Sequence, residues 1–276
     1  MKSELPGWQL DRAAAELYER FLVGPVTSLW AHDLIGRVGL RPGARVLDVA
    51  CGTGVVARLA ASAAGDNGRV DALDVNRGML AVGRSMPSPR GAPIEWHEGS
   101  ADALPFGAGE FTVVLCQLGL QFFPNRRAAL SEMRRVLAAG GRVGASVYTA
   151  IARNPAAHAL AEAVDRHLGE GASDAKRSEH SLADPEELYG LFDAAGFAAV
   201  QLETVTQLVR FVSVEEWVEI QFAATPLAAL VADRERRQLD HIVGLVSADV
   251  REALAPCASD NAFAFPQEAH VAVADK

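Results

Sequence analysis

Cysteine is scarce: it occurs three times in 276 residues, at Cys51, Cys116 and Cys257. An odd, scattered count without clustered spacing excludes a disulfide framework and a cysteine-based zinc site as organising features. Basic residues are outnumbered, 26 Lys and Arg against 35 Asp and Glu, for a net charge of −9. That balance argues against general affinity for nucleic acid or for an anionic membrane surface. Long apolar runs are missing too. The most apolar stretch, 111–123, is too short for a bilayer and is broken by Thr112, Gln117, Gly119 and Gln121. The opening residues carry Lys2 and Glu4 and show no signal-peptide core. The expectation is a reduced, cytoplasmic protein with no membrane or nucleic-acid partner.

Against those absences, half the residues are hydrophobic and 22% are charged, enough for a sizeable core. The length fits one α/β fold with helical additions better than two independent cores. Residues 1–40 read as helices, with Ala13, Leu17, Phe21 and Leu22 at helical spacing and Leu29, His32, Leu34 and Val38 repeating it. They form an N-terminal helical cap, and residues 41–276 form the main domain.

Within that domain, strands alternate with helices. Short apolar runs at 45–50, 69–75, 94–99, 111–117 and 142–148 read as buried parallel strands. Gly140-Gly141 is expected to end the helix before the fifth of them. Asp184-Pro185-Glu186-Glu187 starts another helix, with Asp184 as cap and Glu187 closing a capping box. A long sixth strand spans 198–211, and a last strand spans 261–275, interrupted by Pro266. Two helical insertions, 150–181 and 213–256, break the rhythm. Both meet the C-terminal edge of the sheet, where open α/β sheets bind ligands.

The sharpest local signal is Asp48-Val49-Ala50-Cys51-Gly52-Thr53-Gly54. Two glycines one residue apart let backbone approach a ligand closely, and the helix that follows aims free amides at the same point. Asp74 ends the second strand 22 residues after Gly52 and can accept both hydroxyls of a ribose. Gly52 to Ala57 also matches the G-x-G-x-x-G/A pattern of nicotinamide dinucleotide sites, which keeps an oxidoreductase as an alternative. Asp48 separates the two, because a pyrophosphate has no use for an anion beside it. The pocket therefore suits an adenosine carrying an amino acid.

Asp48 to Gly54 resembles motif I of the class I S-adenosylmethionine-dependent methyltransferases. Asp74-Val75-Asn76 with Met79-Leu80, Gly99 to Phe106, Phe111 to Gln117 with Leu120 to Pro124, and Glu132 to Gly141 resemble the later motifs in order. Within the family the sequence is similar to small-molecule enzymes related to quinone-biosynthesis C-methyltransferases. The resemblance implies a Rossmann-like, seven-stranded, mostly parallel sheet of order 3-2-1-4-5-7-6, with S-adenosylmethionine across strands one, two and four. It implies a cofactor wall of Asp48, Ala50, Cys51, Gly52, Thr53, Gly54, Asp74, Val75, Met79, Ser100, Ala101, Asp102, Ala103, Gln117 and Leu118, with Tyr18 closing over it from the N-terminal helices. Gln121, Phe122, Trp217 and Phe222 are candidates for the acceptor pocket, with the insertions as its lid.

Catalysis requires little from the protein beyond alignment, so only Tyr18 and His167 stand as candidate bases. Cys51 and Cys116 read as buried spacers. The proline–cysteine pair of nucleic-acid enzymes and the Asn/Asp-Pro-Pro-Tyr/Phe box are both missing. His158, Glu162 and Asp165 share a helix face, but a solvated face is the reading preferred, and no metal is expected. The expected activity is in-line methyl transfer to a small, apolar or aromatic acceptor. A binding scaffold without activity is the other alternative, and monomer or homodimer is left open.

Overall fold

The computed structural model describes residues 10–259 and 262–276. Residues 1–9 of the N-terminal cap and Asn261 of the last strand therefore lie outside the described residues. Seven strands form one sheet: β1 (Arg45–Val49), β2 (Arg69–Asp74), β3 (Ile94–Glu98), β4 (Phe111–Gln117), β5 (Leu137–Tyr148), β6 (Ala198–Phe211) and β7 (Ala262–Asp275). Their order is 3-2-1-4-5-7-6, with β1 to β5 parallel and β7 antiparallel to both neighbours. A two-residue segment, Ala258–Ser259, turns back onto the start of β7.

The two-residue period of a strand sorts β1 between two cores. Leu47 and Val49 face α5 (Arg126–Val136) and α8 (Pro185–Ala194). Val46 faces α2 (Ser28–Val38) and α3 (Val55–Ala64). All three are fully buried, as a parallel strand covered on both faces requires.

A third core packs helices against one end of β6 and β7. Leu22 and Val26 follow α1 (Arg12–Phe21), and they meet α6 (Pro155–Leu168), α9 (Val214–Ala224) and α10 (Arg236–Ala253) around Trp217, Phe222, Phe263 and Phe265. The shorter helices α4 (Arg77–Ser85) and α7 (Asp174–Ser178) complete the set used below. Among the described residues, no helix is long and apolar enough to cross a membrane.

Three local expectations are corrected. Gly140-Gly141 does not cap α5, which stops at Val136 because Leu137 already pairs with Phe111. Gly140, at φ +71°, instead turns the chain inside β5 before Arg142 rejoins the ladder opposite Val113. Glu187 closes no capping box, because Asp184 takes the amide of Glu186 and Glu187 pairs with Arg126 at 3.1 Å. Pro266 does not interrupt β7. It lies opposite Leu208 of β6 and beyond the last β5 pair, Tyr148 with Ala269, where a missing N–H is tolerated.

Gly54, the second glycine of the loop after β1, is fixed by packing. Its φ is +85°, and a Cβ there would stand 2.3 Å from the Trp96 ring. Gly54→Ala is expected to cost about 2–3 kcal/mol from overpacking plus left-handed strain. Urea denaturation checks this as a lowered midpoint with unchanged slope; an unchanged midpoint contradicts the packing role.

Candidate active site

The C-terminal ends of β1, β2 and β4 open into a cavity of about 320 Å³. Two non-glycine residues there, Ala50 (φ 57°) and Leu118 (φ 51°), hold left-handed backbone. They stand at the ends of β1 and β4 and both line the cavity. Strain of about 1–3 kcal/mol per residue of this kind persists where surrounding contacts enforce it, commonly at functional sites.

Asp74 ties the loop together. Its Oδ2 accepts the Gly52 amide at 2.7 Å and its Oδ1 the Asn76 amide at 2.8 Å. Burial holds its pKa above the ordinary carboxylate range, against the lowering pull of the Asn76, Gly52 and Val75 amides. Asp48 is 1% exposed and accepts the Ala57 amide at 2.9 Å, giving α3 an acceptor that its glycine N-cap lacks. Burial pushes the Asp48 carboxyl up to about 8; the Asp74 charge adds to the rise, while the Ala57 amide and Arg58 oppose it.

Helix α1 is strapped over this loop. Arg58 donates to the Thr53 carbonyl and to Glu19, each at 2.6 Å, with both side chains mostly buried. Tyr18 thereby enters the cavity wall. Burial raises its phenol pKa, and a side-chain hydrogen bond with Thr27 opposes the rise.

The cavity brings together Tyr18, Asp48, Ala50, Cys51, Gly52, Asp74, Val75, Met79, Ser100, Ala101, Asp102, Gln117, Leu118, Gln121, Phe122 and Trp217. Thr53, Gly54, Ala103, Phe222 and His167 are not on its wall. Thr53 turns inward and is 1% exposed, and Gly54 backs onto Trp96. Ala103 closes a turn through its amide to the Ser100 carbonyl at 3.3 Å. Phe222 fails for a helical reason: Trp217 and Gln221, four apart, share the cavity face of α9, while Phe222 points into the helical core. His167 meets α10 instead, with Nε2 2.9 Å from Asp249. Its face of α6 is covered by a neighbouring helix, so it has no access to the cavity. Arg177 occupies Glu162 and Asp165 at 2.7 and 3.0 Å, which leaves the His158 face no free carboxylate pair for a metal.

The sequence reading missed Tyr148, Asn154, Lys176, Glu179, His180 and Gln267, all on the wall. Tyr148 was discoverable, since it closes β5 at the edge where such sheets bind ligands. Lys176, Glu179 and His180 belong to α7 and the turn after it, which carry no periodic signal.

A family model described as a methyltransferase domain matches residues 46–141. The ubiquinone/menaquinone biosynthesis C-methyltransferase UbiE of Bordetella parapertussis is 34% identical over 192 residues, covering 64% of this chain and 72% of that protein. Among solved structures, phosphoethanolamine N-methyltransferase 2 of Haemonchus contortus, in complex with phosphomonomethylethanolamine and S-adenosylhomocysteine, superposes with TM-score 0.60 at 18% identity, over 96% of this chain and 57% of that one. The [4+2]-cyclase SpnF superposes with TM-score 0.58 at 18% identity, over 96% and 93%. At these identities the structural likenesses show the fold. With the sequence relative they make this a Rossmann-like transferase. The chain belongs to the class I S-adenosylmethionine-dependent methyltransferases, related to the UbiE C-methyltransferases, and the nicotinamide alternative falls.

The wall fits S-adenosylmethionine. A Cβ at Gly52 would meet no protein atom within 4 Å, so the glycine leaves open space where backbone faces the ligand. Asp48, Asp74 and Asp102 all line the cavity, from β1, β2 and the loop after β3, which suits a cationic ligand.

Asp48 yields a pH test. Unfolded, its carboxyl titrates in the ordinary range; folded, at about 8. Between those values the folded state holds a proton that the unfolded state has lost. Stability therefore falls as pH rises through that window, and the penalty is absent below it. Ligand-free Asp48→Asn is expected to melt above wild type at pH 8, with the gap shrinking as pH falls toward 4. Calorimetric Tm values check this; a gap independent of pH contradicts it.

Proposed function

We propose that this enzyme methylates a small, largely apolar aromatic acceptor at a ring carbon, in the cytoplasm. The observation that carries the reading is the division of the cavity. Its acids Asp48, Asp74 and Asp102 come from β1, β2 and the loop after β3, on one side of the sheet order, and its aromatics Phe122, Phe123, Tyr148, Trp217 and Phe265 come from the chain after β4, from β5, α9 and β7, on the other. Aromatic faces stack on a planar acceptor and exclude water from it. The name of the relative as a C-methyltransferase supports carbon as the acceptor atom. The acidic net charge weighs against a nucleic-acid acceptor, and the buried free thiols of Cys51 and Cys116 support a reducing compartment.

The bound cofactor supplies a methyl group on a sulfonium, an activated leaving group. The remaining work falls to the chain's residues. Asp74 would hold the ribose hydroxyls while keeping Gly52 in place. Asp48 and Gln117 would face the amino-acid end, and Ser100, Ala101, Asp102, Val75 and Met79 would surround the adenine. Tyr18, carried on α1, closes the cofactor side against water. Alignment of the acceptor about 3–3.5 Å from the methyl carbon is the main catalytic device.

The N-terminal helices and the insertions 150–181 and 213–256 act as the acceptor lid. Asn154, Ala156, Lys176 and His180 from the first insertion, and Trp217, Gln221 and Thr225 from the second, supply its wall.

Calorimetric titration with S-adenosylhomocysteine tests the cofactor half. Wild type is expected to bind, and Asp74→Asn to bind roughly 10–100-fold more weakly, the worth of a charged hydrogen bond. No wild-type binding at high micromolar ligand overturns the reading.

A further inference from the structure

One polar group on the aromatic side of the cavity, His180, has a buried nitrogen without a hydrogen-bond partner among the described residues. His180 is 9% exposed and lines the wall. Its Nδ1 lies 2.6 Å from the Thr149 carbonyl, and a carbonyl oxygen only accepts. Nδ1 therefore carries the ring proton, and Nε2 presents a lone pair. Nε2 is buried and finds no hydrogen-bond partner among the described residues. The Tyr148 ring stacks against the imidazole at 5.3 Å and 30°, fixing its plane.

The nearby charges leave Nε2 free. Lys176 is committed to Glu179 at 2.7 Å, with both side chains nearly buried. Burial pulls the His180 pKa down to about 4; the Thr149 bond opposes this and the Lys176 charge adds to it, so the ring is neutral at neutral pH. A second unpaired acceptor belongs to the same wall. The Gln121 amide nitrogen donates to the Leu118 carbonyl at 3.0 Å, which identifies its other end as oxygen, and that oxygen is buried without a partner. Two buried lone pairs of fixed identity call for a ligand that brings donors.

We propose that His180 is the proton acceptor of the reaction, taking the proton of an aromatic hydroxyl on the acceptor through Nε2. This rests on the reading of the cavity's aromatic end as the acceptor site. The hydroxyl O–H bond breaks and its proton passes to Nε2. The electron pair left on oxygen flows into the ring, and the conjugated ring carbon forms the new bond to the methyl carbon. The methyl–sulfur bond breaks with its pair remaining on sulfur. The methylated ring carbon then loses its own hydrogen as a proton to water, and the imidazolium returns its proton to the oxygen. Imidazole and hydroxyl are both regenerated, and the net release is one proton.

The test uses the whole protein saturated with S-adenosylhomocysteine, and tryptophan fluorescence as readout. Two probes differ only at the hydroxyl: 2-naphthol and 2-methoxynaphthalene. Wild type is expected to prefer 2-naphthol by about tenfold or more, the worth of one hydrogen bond to an otherwise unpaired buried group. His180→Asn keeps a donor toward Thr149 and removes Nε2, and the preference is expected to vanish. His180→Gln reaches the same depth with an amide that accepts a hydrogen bond and takes no proton. It is expected to retain preference for 2-naphthol while kcat for methylation of 1,4-dihydroxynaphthalene falls about 100-fold or more at nearly constant KM, the usual worth of a general base.

Binding of S-adenosylhomocysteine within twofold of wild type shows that each variant is folded. A wild type without preference, a preference that survives in His180→Asn, or a kcat unchanged in His180→Gln overturns the proposal while leaving the cofactor site standing. Failure of wild type to bind S-adenosylhomocysteine overturns the underlying site reading instead.

Discussion

The contact between the Asp74 carboxylate and the Gly52 amide, 2.7 Å long, joins the ends of β1 and β2. It is made in a buried setting, where an unpaired carboxylate would be costly and a charge-assisted bond is strong. The same side chain reaches the Asn76 amide, and Asn76 in turn caps α4 through Met79. One residue thus sets the glycine loop and the start of α4, two parts of the cavity wall. A carboxylate has about four acceptor positions, so the clamp leaves room for a ribose partner on the same group.

Around that clamp the protein concentrates unfavourable features. Ala50 and Leu118 hold left-handed backbone, and Asp48 is buried with a carboxyl that the fold pushes toward neutrality. They are sustained by the dry cores on both faces of the sheet and by the Glu19–Arg58 pair that straps α1 down. A cationic ligand beside Asp48 would favour its charged form and oppose the burial penalty. The core around Trp217 and Phe263 gathers the outer helices against one end of β6 and β7, away from the β1–β2 edge where Asp74 and Gly52 meet.

Much of this was legible from the chain because the cofactor chemistry is local in sequence. Asp48, Gly52 and Asp74 sit at strand ends that follow from apolar runs and turn residues, and strand order came with the resemblance those motifs carry. Legibility fails where chemistry depends on which neighbour covers a helix face. His167 and Trp217 both stand on amphipathic helices; only the packing of α10 against α6 decides that one is walled off, and the turn of α9 that the other faces the cavity. Gly54 looked like a ligand-facing glycine, and its reason is Trp96, 42 residues away on another strand. His180 carried no signal, since its significance lies in one carbonyl at Thr149 and in the partner its other nitrogen lacks.

The central claim is that Asp74 holds both the loop and the ribose, with the acceptor side aromatic and separate. A crystal structure of the protein grown with S-adenosylhomocysteine tests it most directly. Both ribose hydroxyls are expected within hydrogen-bond distance of the Asp74 carboxylate, with the Gly52 amide still on Oδ2 and the sulfur facing Tyr148 and Trp217. A nucleoside lying among the aromatic residues, or a ribose held elsewhere while Asp74 touches only protein, would contradict it.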